Sequence, residues 1–188
     1  MKRFLGLFFT FVLPALAFSA GEKGQWALLK SEIGYTVTHP LHVVHGKSLS
    51  AKGKGVCYGG HCEFLVAVPV KTFDSGDQNR DLHMLEVTRA GLYPLIEVDA
   101  KTAEIETNHP PKTIDADLEV SFAGQKVQYH KVQLDIVEWE SGEAHITGGF
   151  TLSLKAFGIT PPSLLTMPIH DDVPVKLDMT WKRTASGK

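Results

Sequence analysis

The sequence contains no Gly-x-Ser-x-Gly elbow, no phosphate-binding glycine loop, no His-Glu-x-x-His run and no dinucleotide fingerprint, so the common signatures of hydrolases, nucleotide enzymes and zinc proteases are absent. It also lacks a basic excess. Its 19 Lys and Arg stand against 21 Asp and Glu, which argues against nucleic acid as a partner. After the first twenty residues no apolar run is long enough to cross a bilayer as a helix. Long repeats, heptads and a strand-helix-strand rhythm are missing too, which leaves an all-β chain without an enzyme motif.

What is present begins with the N-terminus. Lys2 and Arg3 precede an apolar stretch from Phe4 to Phe18, and small residues follow at Ala15, Ala17, Ser19 and Ala20. That pattern predicts a secretory signal peptide over 1–20, and no cysteine lies at the cleavage region to take a lipid anchor. Without Lys2 and Arg3, 17 of the 19 basic residues face 21 acidic ones, a formal charge of −4 with histidine neutral. The remaining chain, 21–188, is long enough for one domain with a real core and too short for two comfortable ones.

Two-residue periodicity dominates that chain. Val173, Val175, Leu177, Met179 and Trp181 alternate with Pro174, Lys176, Asp178, Thr180 and Lys182. The same period runs through Ile114, Ala116, Leu118, Val120 and Phe122, and again through Ile146, Gly148, Phe150, Leu152 and Leu154. One apolar face and one wet face mark antiparallel strands, because parallel strands buried on both faces read apolar throughout. Further strands are expected over 31–38, 49–56 and 62–70. Two others shift phase by one residue, from Ile96, Val98 and Ala100 to Ala103 and Ile105, and from Val127 and Tyr129 to Val132, Leu134 and Ile136. Such shifts predict β-bulges, which bend a sheet toward closure. Only Asp77 to Leu85 favours a helix, with Asp77 as cap and Leu82 and Leu85 spaced for one face. About eight strands and one short helix predict a small antiparallel barrel, with a two-sheet sandwich as the alternative.

Cys57 and Cys62 enclose Tyr58-Gly59-Gly60-His61. In an exported chain, glycines that let the strand ends face one another predict a hairpin disulfide. The competing reading uses both thiolates and His61 as metal ligands, with a fourth ligand from elsewhere. His39, His42 and His45 form a second candidate cluster, although a straight strand turns 39 and 42 to opposite faces unless Pro40 bends the chain.

Several blocks together resemble the YceI-like family of periplasmic, lipocalin-like polyisoprenoid-binding proteins. Ser31-Glu32-Ile33-Gly34-Tyr35-Thr36-Val37-Thr38-His39 is similar to the family's first core strand, with His45-Gly46 at the turn beyond it. The run Phe73 to Met84, containing Asn79-Arg80-Asp81-Leu82-His83, resembles its most specific block and is followed by Tyr93-Pro94. Leu118 to Val127 looks like its glycine-turn hairpin, and Leu152 to Ile159 with Pro161-Pro162-Ser163 looks like its C-terminal third. The cysteine pair and the 39/42/45 histidines depart from the general pattern.

The resemblance implies an eight-stranded lipocalin-like barrel in the periplasm, with a polyisoprenoid lipid or isoprenoid quinone as ligand, transient membrane contact, no cofactor and no catalysis. The wall of such a barrel would be Ile33, Tyr35, Val37, Phe64, Val66, Val68, Ile96, Val98, Leu118, Val120, Leu134, Ile136, Phe150, Leu152, Val175, Leu177 and Met179. Arg80 and His83 would meet a polar head group or clamp the helix to the rim, with Asp81 orienting one of them. Two other readings stay open on the residues themselves: an exported metal-binding or redox-linked accessory protein, and a structural or protein-binding barrel whose interior is filled.

Overall fold

The computed structural model describes residues 24–105, 109–140, 142–164 and 166–184. The expected signal peptide lies outside the described residues. The strands are β1 (Gly24–His39), β2 (His42–Ser48), β3 (Lys52–Tyr58), β4 (His61–Pro69), β5 (Leu95–Ala103), β6 (Thr113–Phe122), β7 (Gln125–Glu140), β8 (Glu143–Ser153), β9 (Ser163–Leu164), β10 (Met167–Pro168) and β11 (Asp172–Thr184). One helix, α1 (Gln78–Val87), lies between β4 and β5.

Eight strands close into an antiparallel barrel in the order β1, β3, β4, β5, β6, β7, β8, β11, with β11 returning to β1 over Gln25 to Tyr35. Closure removes the free sheet edges that would otherwise offer unpaired amides. The strand β2 was not expected. It pairs with the far half of β1, from Ile33↔Ser48 to His39↔His42, while β3 takes the near half, from Gly24↔Cys57 to Ala27↔Lys54. The two are one line of pairing, interrupted at Leu49 to Ala51. Its inward positions are His42, Val44, Gly46 and Ser48, so it carries too little apolar alternation to be read from sequence.

Glycines set two of the hairpins. Gly59 and Gly60 have φ of 61° and 87°, and Ala123 and Gly124 have 50° and 81°. Both pairs therefore make two-residue turns with positive φ at each central position, the geometry that matches strand twist. The bulge expected in β7 is present. His130 and Lys131 stand opposite Asp117, Lys131 has φ of 52°, and its amide donates to Asp117 Oδ1 at 3.0 Å. The bulge expected in β5 is not. Its register is continuous from Leu95 to Ala103, because Thr102 keeps the inward phase and Ala103 points out. Thr102 tolerates the interior by donating its hydroxyl to the Ala103 carbonyl at 3.0 Å.

The inward faces form two clusters. One joins Trp26, Ile33, Cys57, Cys62, Val66, Val68 and Trp181; the other joins Val70, Leu118, Val120, Phe122, Val132, Phe157 and Val173. Ile96, Val98, Phe150 and Leu152 touch both and are only half-buried. Inward side chains that stay partly accessible mean that the interior is not filled.

Candidate ligand cavity

Between the walls lies a cavity of about 620 Å³, within the range of small-molecule sites. Its lining is overwhelmingly apolar, and the structure brings together there eighteen of the nineteen residues proposed from sequence: Ile33, Tyr35, Val37, Phe64, Val66, Val68, Arg80, His83, Ile96, Val98, Leu118, Val120, Leu134, Phe150, Leu152, Val175, Leu177 and Met179. Ile136 stands apart. It is half-buried but outside the wall, next to the register slip that β7 makes between Ile136 and Glu138 against β8.

At one end the cavity is bounded by the β3–β4 hairpin. Cys57 and Cys62 lie directly opposite one another, with Cα atoms 4.0 Å apart, and are joined as a disulfide. Both face inward and are 5% and 3% exposed. The thiolates required by a metal reading of this loop are therefore bonded to each other. Around the disulfide gather all three tryptophans. Trp26 and Trp139 have ring centroids 5.7 Å apart, and Phe64 meets Trp181 edge-on at 4.9 Å. Strand alternation marks these tryptophans as inward, but only barrel closure brings residues 26, 139 and 181 together.

At the other end α1 crosses the opening. Asp77 caps it, its side chain accepting from the Arg80 amide at 3.0 Å, and this hydrogen bond holds the Asp77 carboxyl below the usual carboxylate range. Arg80 spends its guanidinium on Ser75: Nε donates to Oγ at 3.0 Å and Nη2 to the carbonyl at 2.8 Å. Asp81 also serves Ser75, accepting from its hydroxyl at 2.6 Å and its amide at 3.1 Å. Asp81 is thus not the direct partner of Arg80 or His83; Arg80 and Asp81 converge on one serine. His83 Nδ1 instead approaches Glu86 Oε2 at 3.5 Å on the exposed side. The expected Leu82/Leu85 face is also corrected, since Leu82 is exposed and Met84, Val87 and Thr88 join the cavity wall. Tyr35 reaches the same corner. Burial, then the Asp81 charge, raises its phenol above the ordinary value, while its hydroxyl meets Ser75.

The histidines divide between faces. His39 is buried, donates from Nε2 to the Met167 carbonyl at 3.1 Å and accepts the Leu41 amide on Nδ1 at 3.2 Å, so both ring nitrogens are engaged. His42 stacks on it at 5.0 Å and lines the cavity. His45 points outward, where Nδ1 meets Thr36 Oγ1. Among the described residues no three His, Cys, Asp or Glu side chains are placed to share a metal ion.

A closed eight-stranded antiparallel barrel with an apolar interior and a helix across one mouth is a lipocalin-like architecture. More narrowly, the YceI-like domain model matches residues 27–181, and the chain belongs to the YceI-like family. Solved structures agree on the fold. A polyisoprenoid binding domain from Saccharophagus degradans, implicated in plant cell wall breakdown, superposes with a TM-score of 0.67 at 10% identity, over 85% of this chain and 98% of that one. Burkholderia cenocepacia BcnA gives 0.63 at 13% identity, over 80% and 95%. A Campylobacter jejuni YCEI protein gives 0.51 at 11%, over 99% and 100%. No curated protein matches the chain.

Proposed function

We propose that this protein is a periplasmic, non-catalytic carrier that holds a polyisoprenoid lipid or isoprenoid quinone inside its barrel, residues 21–188 forming the single carrier domain once the 1–20 signal is removed. The observation that carries this reading is the apolar cavity of about 620 Å³ inside the barrel. The Saccharophagus domain of the same fold, described as polyisoprenoid binding, supports the ligand class.

The physics is area burial. At roughly 25 cal/mol per Å², a few hundred Å² of tail removed from water supplies several kcal/mol before ordering costs. The cavity-lining side chains offer such a tail few hydrogen bonds and many contacts, so tail length should govern affinity. Titration with prenols of increasing length tests this: affinity should rise with each added isoprene unit until the cavity is full, then level off. Affinity that is independent of tail length would overturn the proposal.

A further inference from the structure

We infer that the helix-end mouth is a membrane-docking surface, in which Leu41 and Leu82 enter the interfacial layer of a phospholipid bilayer so that ligand passes between bilayer and cavity without crossing water. The inference rests on the carrier reading above and names the partner of that site.

Three observations carry it. First, exposed large apolar side chains gather at this end. Among the described residues Leu41, Val43, Leu82, Leu92, Tyr93 and Leu95 are exposed there, against Tyr58 and Val137 toward the disulfide end and Leu29, Leu49 and Leu65 between the two. Second, two of them continue the cavity wall outward. Leu41, 60% exposed, lies in the turn between His39 and His42, and both histidines line the cavity; Leu82, 55% exposed, lies between the cavity-lining Arg80 and His83. Leu41 and Leu82 thus stand exposed beside His39, His42, Arg80 and His83, the polar rim of the apolar interior. Third, the local charge selects the kind of surface. Asp74, Asp77, Asp81, Glu86, Asp171 and Asp172 offset Lys47, Lys71, Arg80, Arg89 and Lys155 at this end, so the mouth carries no net basic charge for an anionic partner. Three of the carboxylates around the helix are turned onto nearby donors: Asp74 onto the Gly76 amide, Asp77 onto the Arg80 amide and Asp81 onto Ser75. Leu41 and Leu82 stand exposed among these balanced charges. That chemistry fits shallow insertion into a zwitterionic bilayer, driven by buried area and therefore insensitive to salt.

The test uses phosphatidylcholine vesicles loaded with a dansyl-labelled prenol. Three quantities are read: flotation of the protein with vesicles, the rate of prenol transfer out of them, and equilibrium binding of the same prenol delivered in vesicle-free buffer. The double variant Leu41→Asp/Leu82→Asp should keep vesicle-free binding and lose flotation and transfer by at least about tenfold, since two apolar side chains no longer enter the interface. Leu29→Asp, exposed on β1 away from the mouth, should change none of the three. Raising the salt or adding phosphatidylglycerol should leave wild-type flotation unchanged. A double variant that extracts prenol from vesicles at the wild-type rate overturns the docking surface. So does a wild-type protein that ignores vesicles while binding free prenol, which points to a protein partner at the mouth and leaves the carrier reading intact. Wild type that floats, through these two leucines, yet binds no free prenol removes the carrier reading and keeps the docking surface.

Discussion

At the disulfide end of the barrel, Trp26, Trp139, Trp181 and Phe64 pack around the Cys57–Cys62 bond, and the inward contacts there are apolar or covalent, while the hairpin tip outside them has its Gly60 amide donating to Glu104 at 3.2 Å. At the helix end, the segment from Asp74 to Thr88 is fastened mainly by hydrogen bonds: Asp77 to the Arg80 amide, Arg80 and Asp81 to Ser75, and Lys47 to Asp74 through both backbone groups. The first kind of end is held chiefly by buried area. The second is held by groups that water can replace one at a time, so it should open locally at lower free energy. On the carrier reading the first end stays shut and the second admits the ligand, and each part of that contrast can be attacked separately.

The largest effect should follow from Trp181→Ala. Trp181 is buried, faces Phe64 edge-on and lies over Gly53, so its removal leaves a cavity at the closed end. Urea unfolding should show a loss of about 3–5 kcal/mol. A loss under about 1 kcal/mol would mean that this end is not a packed plug.

Next is the disulfide. Replacing both Cys57 and Cys62 by Ala should lower stability by about 1–3 kcal/mol, a modest figure because the closed loop is short. Hydrogen exchange should quicken in β3 and β4 and leave α1 as it was. Exchange that quickens first at the helix would contradict the independence of the two ends.

A smaller effect is expected from Arg80→Leu, because Arg80 is exposed and loses two hydrogen bonds to Ser75 rather than a buried ion pair. Stability should fall by about 1–2 kcal/mol. Binding should be compared for two ligands with one isoprenoid tail, one headed and one plain. Wild-type stability together with selective loss of the headed ligand would make Arg80 a head-group residue instead of a fastener.

The smallest effect concerns acid. Asp171, at the helix end, accepts from the Ser153 hydroxyl at 2.6 Å and the Lys155 amide at 2.8 Å, and the first of these chiefly lowers its pKa. A carboxyl with a depressed folded pKa contributes stability above its unfolded value, about 3.9, and loses it as pH falls through the folded value. Asp171→Asn should therefore flatten the stability profile below about pH 4. An unchanged profile would remove Asp171 from the acid response.

Much of the barrel was legible because its strands alternate. Ile114 to Phe122 and Val173 to Trp181 show their inward faces residue by residue, and the two-glycine tip between cysteines announced the disulfide hairpin. Elsewhere the pattern misled for definable reasons. An inward threonine at 102 imitated a bulge, and β2 hid behind histidine, glycine and serine at its inward positions. The helix was placed within two residues, but its face was misjudged because Leu82 points to solvent while Arg80 and His83 border the cavity. Spacing alone could not reveal that Arg80 and Asp81 meet through Ser75, a small residue whose importance lies in its position. Nor could it gather Trp26, Trp139 and Trp181, which only closure of β1 onto β11 brings to one end.

The central claim is that the interior holds a lipid. Its most direct test is mass spectrometry of an organic-solvent extract from protein expressed with its N-terminal segment and purified without detergent. The account predicts one long-chain isoprenoid per protein, displaced by added prenol. Repeated recovery of ligand-free protein that also takes up no prenol of any length would contradict it.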